Sequence, residues 1–369
     1  MRRTSSATWL LLAYFALVIY ASLYPFWPWH WPPGLDVKGL LTLPWPKYWG
    51  TFDVQANLAG YLPLGLLGFA AALRSGLGLR SALLLGLLPW PLLSRLLESL
   101  QYFLPGRVPS QADWLLNSAG AILGVGLGLL LNAFGGLHRW QDLRDYWFQP
   151  HSAGALALLA LWPLGLLFPT PVPLGLGQWL PHLQALAVDA LEGTPWALQW
   201  ANTAEDADEW VRALPPGLAV IAIALGLLAP CLLALSIARP GWRRLILVGG
   251  AFAFGVLGTA LSTALNFGPQ HAWAWFTLAS WPGLVAGALL ATLACLLPRR
   301  VCAALGLVVM SALIALVSIA PTDPYLAQSV QAWEQGRFIN LYGLAQWVGW
   351  VWPFAALGWL LTLVGRRSV

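Results

Sequence analysis

The chain has 369 residues, 59% of them hydrophobic and only 9% charged, against about 25% charged in a typical soluble domain. A soluble enzyme, with or without an anchor, is therefore excluded. The formal charge of +5 does not point to nucleic acid, because Lys and Arg occur singly or in pairs between apolar runs, with no basic face or nucleic-acid motif.

Met1-Arg2-Arg3 followed by the apolar run Trp9–Tyr24 resembles the start of a signal peptide. No small-x-small cleavage site precedes Pro25, so a retained first helix is expected. Further apolar runs give spans near 7–24, 54–73, 80–103, 111–134, 151–168, 216–238, 244–265, 272–297, 301–320 and 341–364. Each is close to the roughly 20 residues that cross a hydrocarbon core, and a helix satisfies its own backbone there. Pro163 and Pro169 shorten or kink the fifth. The expected fold is an all-α polytopic membrane protein of about ten transmembrane helices. Three regions follow: 1–134, a helical membrane domain; 135–215, the fifth span with a long segment beyond it; and 216–369, a five-helix accessory region.

With the amino terminus inside, thirteen basic residues fall on the cytoplasmic side: Arg2, Arg3, Arg74, Arg80, Arg139, Arg144, Arg239, Arg243, Arg244, Arg299, Arg300, Arg366 and Arg367. Five fall opposite: Lys38, Lys47, Arg107, Arg212 and Arg337. That asymmetry predicts that both termini face the cytoplasm. Trp27, Trp29, Trp31, Trp45 and Trp49 cluster just outside the first span. They read as interfacial anchors or as an aromatic wall for a lipid or sugar. In the 47-residue segment 169–215, Leu180, Leu183, Ala187 and Leu191 recur at helical spacing, fitting a short helix on the membrane surface. Glu205, Asp206, Asp208 and Glu209 lack calcium-loop spacing and read as a solvated turn.

The scarce polar residues within the spans carry the functional argument, because an ionisable group at membrane depth is costly. Asp53/Asn57 and Asp113/Asn117 are i,i+4 pairs, each on one helix face; Arg95, Glu98 and Gln101 occupy i, i+3 and i+6 between them. Ser110 and Asp113 fit a helix N-cap with its third-position acid. Gly120, Gly124 and Gly128 form a small-residue stripe for close packing. A short turn through Pro105-Gly106-Arg107 makes the third and fourth spans neighbours, so Asp53, Glu98, Arg107 and Asp113 share the extracytoplasmic half.

Three uses of that cluster are open: a structural network, a ligand cavity, or an acid–base or metal-assisted centre. In the catalytic version, Glu98 is the acid or base with Arg95 as its charge partner, and Asp113 works beside it. Arg107 would hold a phosphate or carboxylate. Asp53, Asn57, Gln101 and Asn117 would contact ligand, with Asp53 and Asp113 orienting water or a divalent cation. No resident cofactor is expected. His30, His138, His151, His182 and His271 are dispersed and form no zinc motif; Cys231, Cys295 and Cys302 show no C-x-x-C spacing and read as packing residues. In the later half, Glu334 and Arg337 are helical-spacing partners, in a stretch running through Gln335-Gly336-Arg337-Phe338.

Asp53-x-x-x-Asn57, Tyr61-Leu62-Pro63-Leu64-Gly65, Glu98-x-x-Gln101, Pro105-Gly106-Arg107, Ser110-x-x-Asp113 and Asn117-x-x-Gly120, taken as an ordered set, resemble the VanZ-like membrane family over roughly residues 11–134. The resemblance implies a small helical membrane domain and a role in cell-envelope biology. The family's founding role is low-level resistance to a lipid-bearing glycopeptide antibiotic. The expectation is an envelope protein that binds or scaffolds a lipid-linked or surface saccharide, with membrane lipid and an envelope protein as candidate partners. A glycolipid-modifying enzyme and an envelope lipid or small-molecule transporter are the alternatives.

Overall fold

The computed structural model describes residues 5–24, 26–36, 39–40, 42–47, 50–178, 214–320 and 339–365. Glu334, Arg337, the acidic run at 205–209 and the surface helix expected at 180–191 lie outside these residues, as do Lys38, Trp49, His182 and Arg212. Twelve α-helices occur among the described residues: α1 (Ser6–Leu23), α2 (Thr51–Arg74), α3 (Leu79–Leu87), α4 (Pro89–Gln101), α5 (Gln111–Ala133), α6 (Gly136–Trp147), α7 (Ala153–Gly165), α8 (Pro216–Ile237), α9 (Arg243–Phe267), α10 (Ser280–Ala294), α11 (Arg299–Ser318) and α12 (Ile339–Gly365). The only β-type pairing among them is an isolated bridge between Phe148 and Ala238.

Eight spans among the described residues are long and apolar enough to cross a membrane, with α3 and α4 counting as one. Two of the ten expected spans are shorter helices. Helix α7 has 13 residues and contains Pro163; α10 has 15 and starts only at Ser280. A 3-10 turn at Pro269–His271 and further turns occupy the stretch where the eighth span was expected to begin. The third span breaks at Leu88, because Pro89 and Pro91 lack the N–H groups that would carry α3 into α4.

The chain divides into two compact units, one of residues 1–146 and 150–157, the other of 147–149 and 158–369. In the first, α2 packs along α5, α1 lies on α2, and α4 lies on α5. Val18, Leu23, Tyr61, Leu64, Trp90, Leu97, Leu104 and Ala121 form its larger core cluster. Glycine sets the α2–α5 distance. A Cβ at Gly65 would overlap the carbonyl of Ala121, and one at Gly124 would overlap that of Leu62. The small-residue stripe read from the sequence is thus a backbone-to-backbone crossing. The two helices run parallel, so their N-termini lie together.

The inner loop expected after α5 instead holds helix α6. Arg74, at the end of α2, donates to the Gln141 side chain and the Leu137 carbonyl, and Arg144 pairs with Asp145 at 2.7 Å.

In the second unit α8 is central and packs on α9, α10 and α11. It is apolar on all sides and buried almost continuously from Ala222 to Ile237, as expected of a helix enclosed by others. Arg244, at the start of α9, is buried and donates to the carbonyls of Cys295, Leu297 and Leu235. Cys231, Cys295 and Cys302 are free thiols, two of them buried.

Candidate functional site

Helix α4 turns Ser94, Leu97, Glu98 and Gln101 inward. This spacing puts a carboxyl, a hydroxyl and an amide on the face that meets α5 and α1. Glu98 is only 4% exposed. Its Oε2 accepts the main-chain N–H of Ser110 at 2.9 Å, and Gln101 donates to the Ser22 carbonyl of α1 at 3.2 Å.

The turn after α4 reverses at Gly106, whose φ of +74° lies in the left-handed region that favours glycine. Arg107 then reaches the end of α1. Its Nε donates to Tyr24 O at 2.9 Å, and its Nη2 donates to Tyr24 O at 2.7 Å and Ala21 O at 2.9 Å. A cation at a helix C-terminus meets both the free carbonyls and the negative end of the dipole. Burial lowers the pKa of Arg107 from its ordinary value and the charge of Glu98 opposes that; a guanidinium nevertheless stays protonated. Arg107 is chiefly a strap between turn and helix.

Ser110 caps α5, its Oγ accepting the N–H of Asp113 at 3.2 Å. The expected box is closed by a different acid, since the N–H of Ser110 goes to Glu98. Asp113 is left half-buried, met by the side chains of Asn57 and Ser110 and by the charge of Asp53. At the start of α2 the equivalent acid remains in its own cap: Asp53 Oδ2 accepts the Gly50 N–H at 3.2 Å.

One turn deeper, Asn117 Nδ2 donates to Ser94 Oγ at 3.0 Å across the α4–α5 interface, while its Oδ1 is buried without a partner. Tyr61, on the same α2 face as Asp53 and Asn57, is also buried with an unpartnered hydroxyl. That hydroxyl sits close to Ser94 and Ser22 and within electrostatic reach of Glu98, outside hydrogen-bond geometry with any of them. A polar track therefore descends from exposed Asp53 past Asn57 and Asp113 to Glu98, Tyr61, Ser94 and Asn117.

Arg95, the expected charge partner of Glu98, meets an aromatic ring. Its guanidinium carbon stands 5.7 Å from the Trp114 ring centroid, and its charge acts on Glu98 less than those of Asp113 and Arg107. Ser94 was not singled out from the sequence, and Tyr61 entered only as the first residue of the Tyr61-Leu62-Pro63-Leu64-Gly65 run, with no role in the site. The available signal was spacing: Ser94 lies four residues before Glu98, and Tyr61 four after Asn57. Among the described residues, no three His, Cys, Asp or Glu side chains group in a way that could hold a metal.

The tryptophan-rich loop is fastened to the same turn. His30 N donates to Phe103 O at 3.0 Å and Gln111 N to Pro44 O at 2.9 Å; the Tyr102 hydroxyl donates to Thr42 O at 3.0 Å. Trp31 lies 5.2 Å from Phe103, centroid to centroid, yet stays 64% exposed. Trp27 and Trp45 are exposed as well.

No curated protein and no solved structure matches the chain. Residues 7–132 match the family model described as VanZ/LLP1. This is a polytopic membrane protein whose first unit carries a VanZ-like domain, followed by further apolar spans outside the matched region.

Proposed function

We propose that the VanZ-like unit binds the saccharide portion of an envelope glycolipid at the mouth formed by Asp53, Asn57 and Asp113. In this reading the protein lies in the bacterial inner membrane with the mouth on the extracytoplasmic face, as the distribution of basic residues favours. The observation that carries the proposal is the joint seating of two surfaces on one turn: exposed indole rings at Phe103 and a carboxylate–amide mouth at Asp113. Carboxylates and amides accept and donate to hydroxyl groups, and flat aromatic faces give apolar contact area beside them. Binding is favoured over turnover because Glu98 is tied to the Ser110 N–H and Arg107 to the carbonyls of α1. Membrane lipid supplies the hydrophobic part of the ligand, and an envelope protein is the natural recipient of a held glycolipid.

Native mass spectrometry of the detergent-purified chain tests this with a polyprenyl-diphospho-saccharide and with polyprenyl phosphate lacking the sugar. The sugar-bearing lipid should bind at least about tenfold more tightly, about 1.4 kcal/mol. Trp31→Ala should remove most of that preference. Equal binding of the two lipids overturns the reading.

A further inference from the structure

We infer that the polar track of the first unit takes a cationic group, either a small monovalent cation or the ammonium of an amine-bearing saccharide. This deepens the saccharide reading and rests on it only for the ammonium source.

Charge makes the first part of the case. The ionisable groups at the track are Asp53, Glu98 and Asp113 against Arg95 and Arg107. Ionised together they leave one negative charge uncompensated. Both arginines have other engagements, Arg95 over Trp114 and Arg107 on Tyr24 and Ala21. The N-termini of α2 and α5 stabilise Asp53 and Asp113 locally, but the two acids still repel each other, as Asp113 repels Glu98. A phosphate entering here would meet acids first; a cation would meet its counter-charge.

Unpartnered oxygens make the second part, and they are independent of the acids. Asn117 is 4% exposed and Tyr61 is 5% exposed, yet Asn117 Oδ1 and the Tyr61 hydroxyl have no hydrogen-bond partner. An amide oxygen can only accept, and a buried acceptor left empty costs about 1–3 kcal/mol. Ser94 joins the two: it accepts from Asn117 and sits beside the Tyr61 hydroxyl. Tyr61 in turn lies within electrostatic reach of Glu98. Carboxylate, amide and hydroxyl oxygens from α2, α4 and α5 therefore converge, with no donor aimed at the amide oxygen. Oxygen donors of this kind suit a hard cation, and the same oxygens suit the N–H groups of an ammonium.

Thermal unfolding of the full chain in detergent, at constant ionic strength, separates the outcomes. The probes are choline, sodium, potassium and ammonium chlorides, and then glucosamine, N-acetylglucosamine and glucose in choline chloride. A saturable rise of several degrees with sodium, potassium or ammonium, relative to choline, supports a small-cation site. A rise with glucosamine that N-acetylglucosamine and glucose do not give supports the ammonium of a sugar. Either rise should fall by half or more in Asp113→Asn and in Tyr61→Phe, which removes one oxygen and leaves the helix caps intact. Equal rises with glucosamine and glucose overturn the cation inference while the saccharide reading stands. A response to a small cation with none to any sugar keeps the cation site and counts against the saccharide reading. No specific response, or a response unchanged in both variants, overturns the inference.

Discussion

In the second unit, the buried Arg244, Ser262 and Ser280 all donate to the main chain: Arg244 clamps three carbonyls, Ser262 donates to Leu167 O and Ser280 to Trp275 O. In the first, Asn117 bonds Ser94 side chain to side chain, Glu98 takes a cap from the next helix, and Asp113 is released toward α2. A side chain spent on a carbonyl ties two segments together and has little left for a ligand. Unpartnered buried atoms occur in both units, Thr259 Oγ1 and Trp275 Nε1 in the second among them; in the first, those of Tyr61 and Asn117 adjoin a buried hydroxyl, Ser94, on the helix that also buries the carboxyl of Glu98. On the proposed reading, a buried carboxyl with unfilled oxygens near it separates a membrane site from a membrane scaffold.

The largest expected effect removes the frame of that site. Gly124→Leu places side-chain atoms where the Leu62 carbonyl already lies, while a Cβ at Gly126 meets nothing within 4 Å. Overpacking alone costs about 1–3 kcal/mol, and a clash with rigid backbone should exceed that. Gly124→Leu should abolish folded, monodisperse protein in size-exclusion chromatography, whereas Gly126→Leu should be recovered like the parent. Equal recovery would show that close α2–α5 contact does not hold the two polar ladders together.

Next comes a pair of substitutions that sharpen the contrast between the units. Arg244→Met deletes charge-assisted bonds to buried carbonyls and should cost about 2–4 kcal/mol. Glu98→Leu strands the buried Ser110 N–H and should cost about 1–3 kcal/mol. Both lower the melting temperature, but only Glu98→Leu should also abolish the response to sodium or glucosamine. Loss of that response in Arg244→Met would mean that the second unit takes part in binding.

Much of this arrangement was legible in the sequence because membrane burial makes polar residues scarce. The i,i+4 pairs Asp53/Asn57 and Asp113/Asn117 gave the two ladders, and Gly120-x-x-x-Gly124 gave the surface that packs them. The assignment of partners was not legible. Ser110-x-x-Asp113 reads as a self-contained cap, yet the closing acid is Glu98, twelve residues earlier and across a turn. Arg95 sits at the right helical spacing for Glu98, but the Trp114 face lies over it. Arg107 looked available for a phosphate, and only the position of α1 shows that its donors meet carbonyls. Local spacing states which groups share a face; the neighbour that claims each group depends on how helices pack. The late start of α10 has a local cause instead. Hydropathy marked the region 272–297, but Gly268, at φ +96°, and Pro269 end α9 and delay the next helix until Ser280.

The smallest effect is the most discriminating, because its sign depends on what fills the track. Tyr61→Phe keeps the ring that packs with Leu64, Trp90 and Ala121 and deletes only the unpartnered hydroxyl. In choline chloride, where the track lacks its cation, burying that hydroxyl is a cost, so the variant should melt about 1–3 °C higher. With sodium or glucosamine at saturation the parent gains binding energy that the variant lacks, and the order of the two melting temperatures should reverse. A variant that melts lower in choline as well would mean that the hydroxyl is already satisfied, which would leave Asn117 Oδ1 as the remaining unfilled acceptor. A crossing of the two curves with cation concentration follows only if the Tyr61 oxygen is a ligand rather than an unfavourable remnant of packing. The measurement thus decides whether the first unit differs from the second in kind or only in the number of polar groups it buries.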